Sequence, residues 1–218
     1  MIRISLATAS LAILAACAST APVDTTEPIA PPVEAADLAN DPYALAMDTV
    51  DMLSEAGNSQ AAIDRLTQLL GDASLSDEQR RLALETRAGL RYGDGNDVWG
   101  AISDYEALLE MGGLTAEQVA SYEEALNTAR GEATSTNFML EEGDLSRTER
   151  FEMMFRLGDH QDAVDYMLEN NLTPSNDHLI ALYQMGYLCE GDEYGGPVYA
   201  ATEPDGTPRS LQYCDFGK

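Results

Sequence analysis

Apolar residues recur along most of this chain with the period of an α-helix. In the central stretch, residues 82–113, Leu84, Ala88 and Tyr92 follow one another at four-residue spacing and define one apolar helix face. A second apolar stripe begins at Val98, after a run rich in glycine and acid (residues 93–97) that breaks the first helix. The pattern therefore predicts two amphipathic helices joined by a tight turn.

The same pattern recurs before and after this central hairpin. Asp41-Pro42 combines an N-cap residue with a proline at the first helical position, so it is expected to open the first helix. Capping-box sequences are expected at Ser76–Gln79, where the central hairpin opens, and at Thr115–Gln118. Ser146–Glu149 is expected to open a third hairpin. A last helix is predicted over Pro174–Cys189.

Residues 132–144 have no clear periodicity. The helix that opens at Thr115 is predicted to end at Gly131, because glycine is common just past a helix end. Beyond that glycine we expect no more than a short helix at Asn137–Leu140.

Gly89 lies in the middle of the first central helix, where glycine costs roughly 1 kcal/mol relative to alanine. We expect it at a close crossing with a neighbouring helix, where the missing Cβ lets two backbones approach. Gly89, Tyr92, Ala101 and Tyr105 together resemble the tetratricopeptide (TPR) repeat over about 30 residues. The resemblance implies stacked helical hairpins with a concave face lined by the first helix of each pair.

The predicted fold is all-α: TPR-like stacked helical hairpins over residues 42–189, with a small C-terminal β-hairpin in the tail, residues 190–218. The turn sequence Pro204–Thr207 lies between two short strand-like stretches of that tail. Two short strands alone are marginally stable in water. A disulfide between Cys189 and Cys214 would supply a constraint, and the alternative is two free buried thiols.

The N-terminal stretch has a basic residue, a short apolar run and small residues before Cys17. Leu14–Cys17 resembles a bacterial lipobox, which implies a signal peptide over residues 1–16 and a lipidated Cys17; the alternative is an ordinary signal peptide or a chance cysteine. Ala18 is not the aspartate associated with inner-membrane retention, so the resemblance favours the periplasmic face of the outer membrane. Residues 17–41 are rich in Pro, Ala, Thr and acid and are expected to form a disordered tether.

The chain is strongly acidic, with 38 Asp and Glu against 12 Lys and Arg and a formal net charge of −26. This charge argues against nucleic acid and against anionic lipid headgroups as partners. It permits basic partners, although solubility and solvated helix faces are the preferred explanation of the charge.

No residue pattern indicates an enzyme, a metal or a cofactor. The sequence has neither a zinc-protease motif, a nucleophile elbow nor a phosphate-binding loop. His160 and His178 each lie near a predicted helix start, where a surface or capping role is expected. Asp94–Asp97 begins like a calcium loop, but Val98 and Trp99 stand where a ligand and the turn glycine belong.

The sequence thus predicts a lipid-anchored periplasmic adaptor or scaffold that binds another cell-envelope protein or peptide. Two rivals remain: a structural envelope protein that self-associates, and an enzyme with scattered acids such as Asp94 and Glu141. The concave face implied by the TPR resemblance assigns partner-binding residues, which alternatively complete the packing between hairpins: Met47, Asp51, Thr86, Leu90, Glu152, Phe155 and Arg156.

Overall fold

The structure is a computed structural model that describes residues 41–191 and 196–214. Within these ranges the chain is mostly helical, with a small antiparallel sheet at the C-terminal end. Cys17, the predicted signal peptide and nearly all of the predicted tether lie outside the described residues. The elements are α1 Pro42–Glu55, α2 Ser59–Leu70, α3 Asp77–Tyr92, α4 Val98–Glu110, α5 Ala116–Glu142, α6 Arg147–Leu157, α7 His160–Glu169, α8 Asn176–Gln184, β1 Leu188–Glu190, β2 Tyr199–Thr202 and β3 Pro208–Tyr213.

The helices begin where the capping residues predict. Asp41 Oδ1 accepts a hydrogen bond from the Tyr43 backbone N–H at 2.9 Å, with Pro42 in the first turn of α1. Reciprocal capping boxes open α3, α5 and α6, at Ser76, Thr115 and Ser146. The N-cap side chains satisfy backbone N–H groups that a helix leaves without an internal partner.

Each helix from α1 to α6 packs against the next one in the sequence. Ala46, Val50 and Leu66 centre one apolar cluster where α1, α2 and α3 meet. Two further clusters join α3, α4, α5 and α6. The last cluster joins α6, α7 and α8 to the sheet, and α2 makes a further contact with α8. The two ends of the helical series therefore meet.

The expectation for Gly89 is wrong. Gly89 is exposed, and a Cβ built on it meets no atom within 4 Å. The close approach lies instead at Gly95, where a Cβ would stand 2.6 Å from Ile63 Cδ1 and 2.8 Å from the Leu90 carbonyl oxygen. The glycine that packing requires is thus in the α3–α4 turn, which is pressed against α2.

The helix α5 continues for 27 residues, through Gly131 and the stretch that lacked a clear pattern. Buried Ala133 and an ion pair between Glu132 and Arg156 attach this second half to the rest of the fold. Arg150 also donates to the Leu140 carbonyl oxygen at 2.7 Å. Tertiary contacts hold this segment helical although its sequence has little amphipathic character.

The C-terminal end differs from the predicted helix and two-stranded hairpin. The predicted last helix is shorter: α8 is capped by Ser175, and its Oγ accepts a hydrogen bond from the His178 backbone N–H. The chain then forms β1, so the sheet has three antiparallel strands in the order β1-β3-β2. The sheet also shares a core with α6–α8.

The predicted disulfide is confirmed. Cys189 on β1 and Cys214, just after β3, are bonded, with their Cα atoms 5.3 Å apart. The bridge spans 25 residues of sequence and links the middle of β1 to the residue that follows β3.

Candidate functional site

The two ends of the helical series enclose a cleft of about 740 Å³. Five separate stretches of chain line it: the α1–α2 turn with the start of α2, the α3–α4 turn, α6, α8 and the segment after β2. Its apolar lining comprises Phe155, Ile180, Ala181 and Met185. Its polar lining includes Ser59, Gln60, Asp94, Asn96, Ser175, Asn176, Asp177, His178, Gln184, Thr202 and Glu203.

The α3–α4 turn is held rigidly at one wall of the cleft. The backbone N–H groups of Gly95 and Asp97 donate back to α3, to the carbonyl oxygens of Leu90 at 2.8 Å and Arg91 at 2.9 Å. Asp97 Oδ1 in turn accepts the Gly100 N–H at 2.8 Å and caps α4. The carboxylate of Asp94 is carried on this turn.

The opposite wall is the segment that joins β2 to β3. Asn176 binds the backbone of Thr202 on both sides: its Nδ2 donates to the carbonyl oxygen at 2.9 Å, and its Oδ1 accepts the N–H at 2.7 Å. Pro204 Cγ lies 3.8 Å from the position that a Cβ on Gly57 would occupy. The sheet thus closes the cleft against the α1–α2 turn.

An aromatic stack lies beneath the cleft, with Phe155 at its centre. Its ring centroid is 4.9 Å from that of His160 and 4.7 Å from that of His178, and His178 also meets Phe151 edge-on. His160 Nε2 is 3.0 Å from the Asn96 carbonyl oxygen, and His178 Nδ1 is 3.0 Å from Ser175 Oγ. Both rings are partly buried. His178 contacts the N-cap residue of its own helix, in keeping with the expected capping role, whereas His160 contacts the α3–α4 turn.

Burial lowers the pKa of both histidines. For His160, burial outweighs the opposing influence of the Asn96 carbonyl and of Asp97 and Asp159. For His178, it outweighs the opposing influence of Glu152 and Asp177. Both imidazoles are therefore neutral at pH 7, and the histidine in the cleft adds no positive charge to it.

The residues that line the cleft carry three carboxylates and no arginine or lysine. Glu203 is paired, since its Oε1 accepts from Arg209 Nε at 3.0 Å. Asp94 and Asp177 have no ion-pair partner among residues 41–191 and 196–214. The cleft thus combines an apolar floor with an acidic rim.

The structure scatters the predicted partner-binding residues over several places. Met47 and Leu90 are partly buried in the cluster of α1–α3. The side chains of Asp51 and Glu152 are exposed, and Thr86 donates to the Leu82 carbonyl oxygen.

Two of these residues are tied into the fold. Phe155 is 1% exposed, so its assignment to an open concave face is corrected: it belongs to the core beneath the cleft. Arg156 pairs with Glu132 at 2.7 Å and lies over the Tyr92 ring at 5.0 Å. Of the seven predicted residues, Phe155 alone lines the cleft.

The acids named for the enzyme rival are not brought together around the cleft. Asp94 lines it, whereas Glu141 lies exposed near the end of α5 and does not. In the described part of the chain, no group of three or more His, Cys, Asp or Glu side chains has a metal-binding arrangement. None of the helices described has the length and apolar content needed to cross a membrane.

Sequence reasoning missed Asp177, Glu203 and His178 as members of one site. In the sequence these residues belong to a helix start and a turn, which accounts for their polarity without any site. Comparison with models of known protein families, with curated proteins and with solved structures found no match.

Proposed function

We propose that this chain is a lipid-anchored periplasmic adaptor with TPR-like helical hairpins, and that it binds a segment of another cell-envelope protein in the cleft. The observation that carries this proposal is the cleft itself, a concave site with an apolar floor and polar walls between the two ends of the helical series. Ligand sites commonly combine these features. An extended segment of a partner protein could lie on the floor while the walls bind its backbone.

The repeated packing of the hairpins supports the TPR-like part of the proposal. Ala62, Ala101 and Ala163 occupy corresponding positions near the start of the second helix of hairpins α1–α2, α3–α4 and α6–α7. Each of them is 0% exposed. Small buried residues at equivalent helix crossings are typical of stacked helical repeats.

The adaptor proposal is tested by site-specific photo-crosslinking of the full chain in cells. A photoreactive residue at Gln184, which lines the cleft, is expected to capture an envelope protein. The matched control is the same residue at Glu123, which is exposed on α5 away from the cleft. Equal capture at the two positions, or none at Gln184, would contradict binding in the cleft.

The anchor is tested separately. Cys17→Ala is expected to release the protein from the membrane fraction, because a lipidated cysteine supplies the attachment that this proposal invokes. The measurement is fractionation of cells followed by a high-salt wash. A variant that remains with the membranes would overturn the anchor and leave the adaptor proposal standing.

Self-association is the second candidate, and the outward face of α1 favours it. Leu45 and Met52 stand two helical turns apart on that face and are 51% and 71% exposed. Exposed apolar side chains at the end of a helical series can pair two copies of a protein. A mass that rises with protein concentration in sedimentation, and that falls back for Met52→Glu, would support this candidate.

A further inference from the structure

We propose that the segment bound in the cleft carries an arginine or lysine side chain, whose cationic head is received by Asp94 and Asp177. This inference rests on the proposed function and names the chemistry that the cleft selects. It combines three observations: the volume of the cleft, its apolar floor and two carboxylates on separate walls that have no ion-pair partner within the described residues.

The negative charge on the walls of the cleft favours a cation. Asp94 reaches the cleft from the α3–α4 turn and Asp177 from the first turn of α8. Arg209 already neutralises the third carboxylate, that of Glu203. Two carboxylates on separate walls thus remain for a cation, and they repel an anion. An acidic or phosphorylated segment is the wrong ligand for this cleft.

The apolar floor of the cleft also favours a basic side chain. Ala181 and Met185 are partly exposed and, with the buried Phe155 and Ile180, form the apolar part of the lining. Arginine and lysine have long apolar stems that pack on such surface while the charged head stays in a polar environment. A small cation such as a metal ion would leave this apolar floor without a partner.

The volume of the cleft indicates how much of the partner enters it. The cleft holds about 740 Å³, within the range of sites that enclose a sizeable ligand. This is larger than a single basic side chain, so backbone of the partner is expected to enter with it. Gln184 lines the cleft and has a side-chain amide suited to hydrogen bonds with such a backbone.

The experiment is selection of peptides from a random twelve-residue display library on the purified full chain. Selection is repeated on the double variant Asp94→Asn/Asp177→Asn, on Gln184→Trp to fill the cleft, and on the control Glu123→Gln/Glu124→Gln. The control removes two exposed carboxylates from α5, outside the cleft. The melting temperature of every variant is measured, so that only folded proteins are compared.

The expected result is enrichment of peptides with arginine or lysine flanked by apolar residues. Their affinity should fall about fivefold on Asp94→Asn/Asp177→Asn, which is the effect of two partly exposed ion pairs. The affinity should also fall with added salt for the wild type, and this salt dependence should be weaker in the double variant. Glu123→Gln/Glu124→Gln should bind as the wild type does.

Two outcomes overturn the inference and differ in what they say about the proposed function. In the first outcome, the selected peptides fail to bind Gln184→Trp, but they either bind Asp94→Asn/Asp177→Asn as tightly as the wild type or contain no basic residue. The cleft would then bind peptides without the proposed selectivity for a cation. In the second outcome, every selected peptide binds Gln184→Trp as tightly as the wild type. The cleft would then not be a peptide site, and the proposed function would be wrong as well.

Discussion

At the scale of single residues, the most demanding arrangement is the buried carboxylate of Asp104. Its side chain is 3% exposed and lies among arginines from the preceding helix: Arg87 binds both of its oxygens, at 2.6 and 3.0 Å, and Arg91 binds one at 2.9 Å. Arg87 also donates to Thr67 Oγ1 on α2. One carboxylate thus fixes the relative placement of α2, α3 and α4.

Asp104→Ala is expected to lower the free energy of unfolding by about 3–5 kcal/mol, because it leaves Arg87 without a counter-charge in a largely buried place and removes one of the two carboxylates that Arg91 binds, the other being that of Asp97. The matched control is Glu106→Ala on the same helix. Glu106 pairs with Arg130 at 2.6 Å, but both side chains are about half exposed, so its loss should cost no more than about 1 kcal/mol. Urea denaturation of the two variants checks the difference, and equal losses would contradict it.

Replacement of Gly89 by alanine and replacement of Gly95 by alanine should have opposite effects on the stability of the fold. Gly89→Ala is expected to raise the free energy of unfolding by up to about 1 kcal/mol, since Gly89 is in an exposed helix interior with open space around it. Gly95→Ala should lower it by about 1–3 kcal/mol, because the added Cβ would press on Ile63 and on the α3 backbone. Thermal unfolding of the two variants tests the pair, and a loss at Gly89 would place a contact there after all.

At the scale of elements, the disulfide is expected to stabilise more than the sheet. Closing a loop of 25 residues is worth about 3.5 kcal/mol in the chain-entropy model. The sheet shares its core with α6–α8, so Cys189→Ala/Cys214→Ala should weaken protection there as well as in the strands. Helices α1 and α2 belong to a different cluster and should be little affected.

Hydrogen exchange measured segment by segment, with and without the bridge, checks this prediction. Loss of protection confined to the strands would mean that the sheet is an appendage, as the sequence alone suggests. Unchanged protection throughout would mean that the bridge contributes no stability.

The elements that could be predicted from the sequence are those with local signals. Capping residues at Asp41, Ser76, Thr115 and Ser146 mark real helix starts, because a cap depends on residues three positions apart. The end of α5 could not be predicted, since residues 132–142 are held by contacts with α6. Strand β1 was missed because its three residues extend an apolar helical pattern and become a strand only by pairing with β3.

At the scale of the whole molecule, the cleft could not be predicted at all. Its walls come from stretches as far apart as Gly57 and Pro204, and no local pattern relates them. The TPR resemblance assigned a binding face to the first helices of the hairpins, whereas the enclosed site lies where the two ends of the helical series meet. The cleft is therefore formed by the closure of the series, to which the segment after β2 contributes one wall.

The last prediction concerns how the whole molecule responds to acid, where two effects oppose each other. The formal charge of −26 destabilises the folded chain by self-repulsion, and this repulsion weakens as pH falls toward the isoelectric point near 4.1. The histidines act in the other direction. Burial lowers the pKa of His160 and His178 below the ordinary value of 6.5, so the unfolded chain binds protons more readily than the folded one.

The stability that the two neutral histidines contribute to the fold is complete above pH 6.5. It is lost as pH falls from there through the lowered pKa values of the folded state. Salt separates the two effects, since about 1 M NaCl shortens the screening length to about 3 Å and suppresses the repulsion. In 1 M NaCl the urea midpoint of the wild type should therefore fall between pH 7.5 and 5.5. The double variant His160→Gln/His178→Gln, although less stable at every pH, should have a flatter profile over the same range. Parallel profiles for the two proteins would mean that neither histidine is held neutral by the fold.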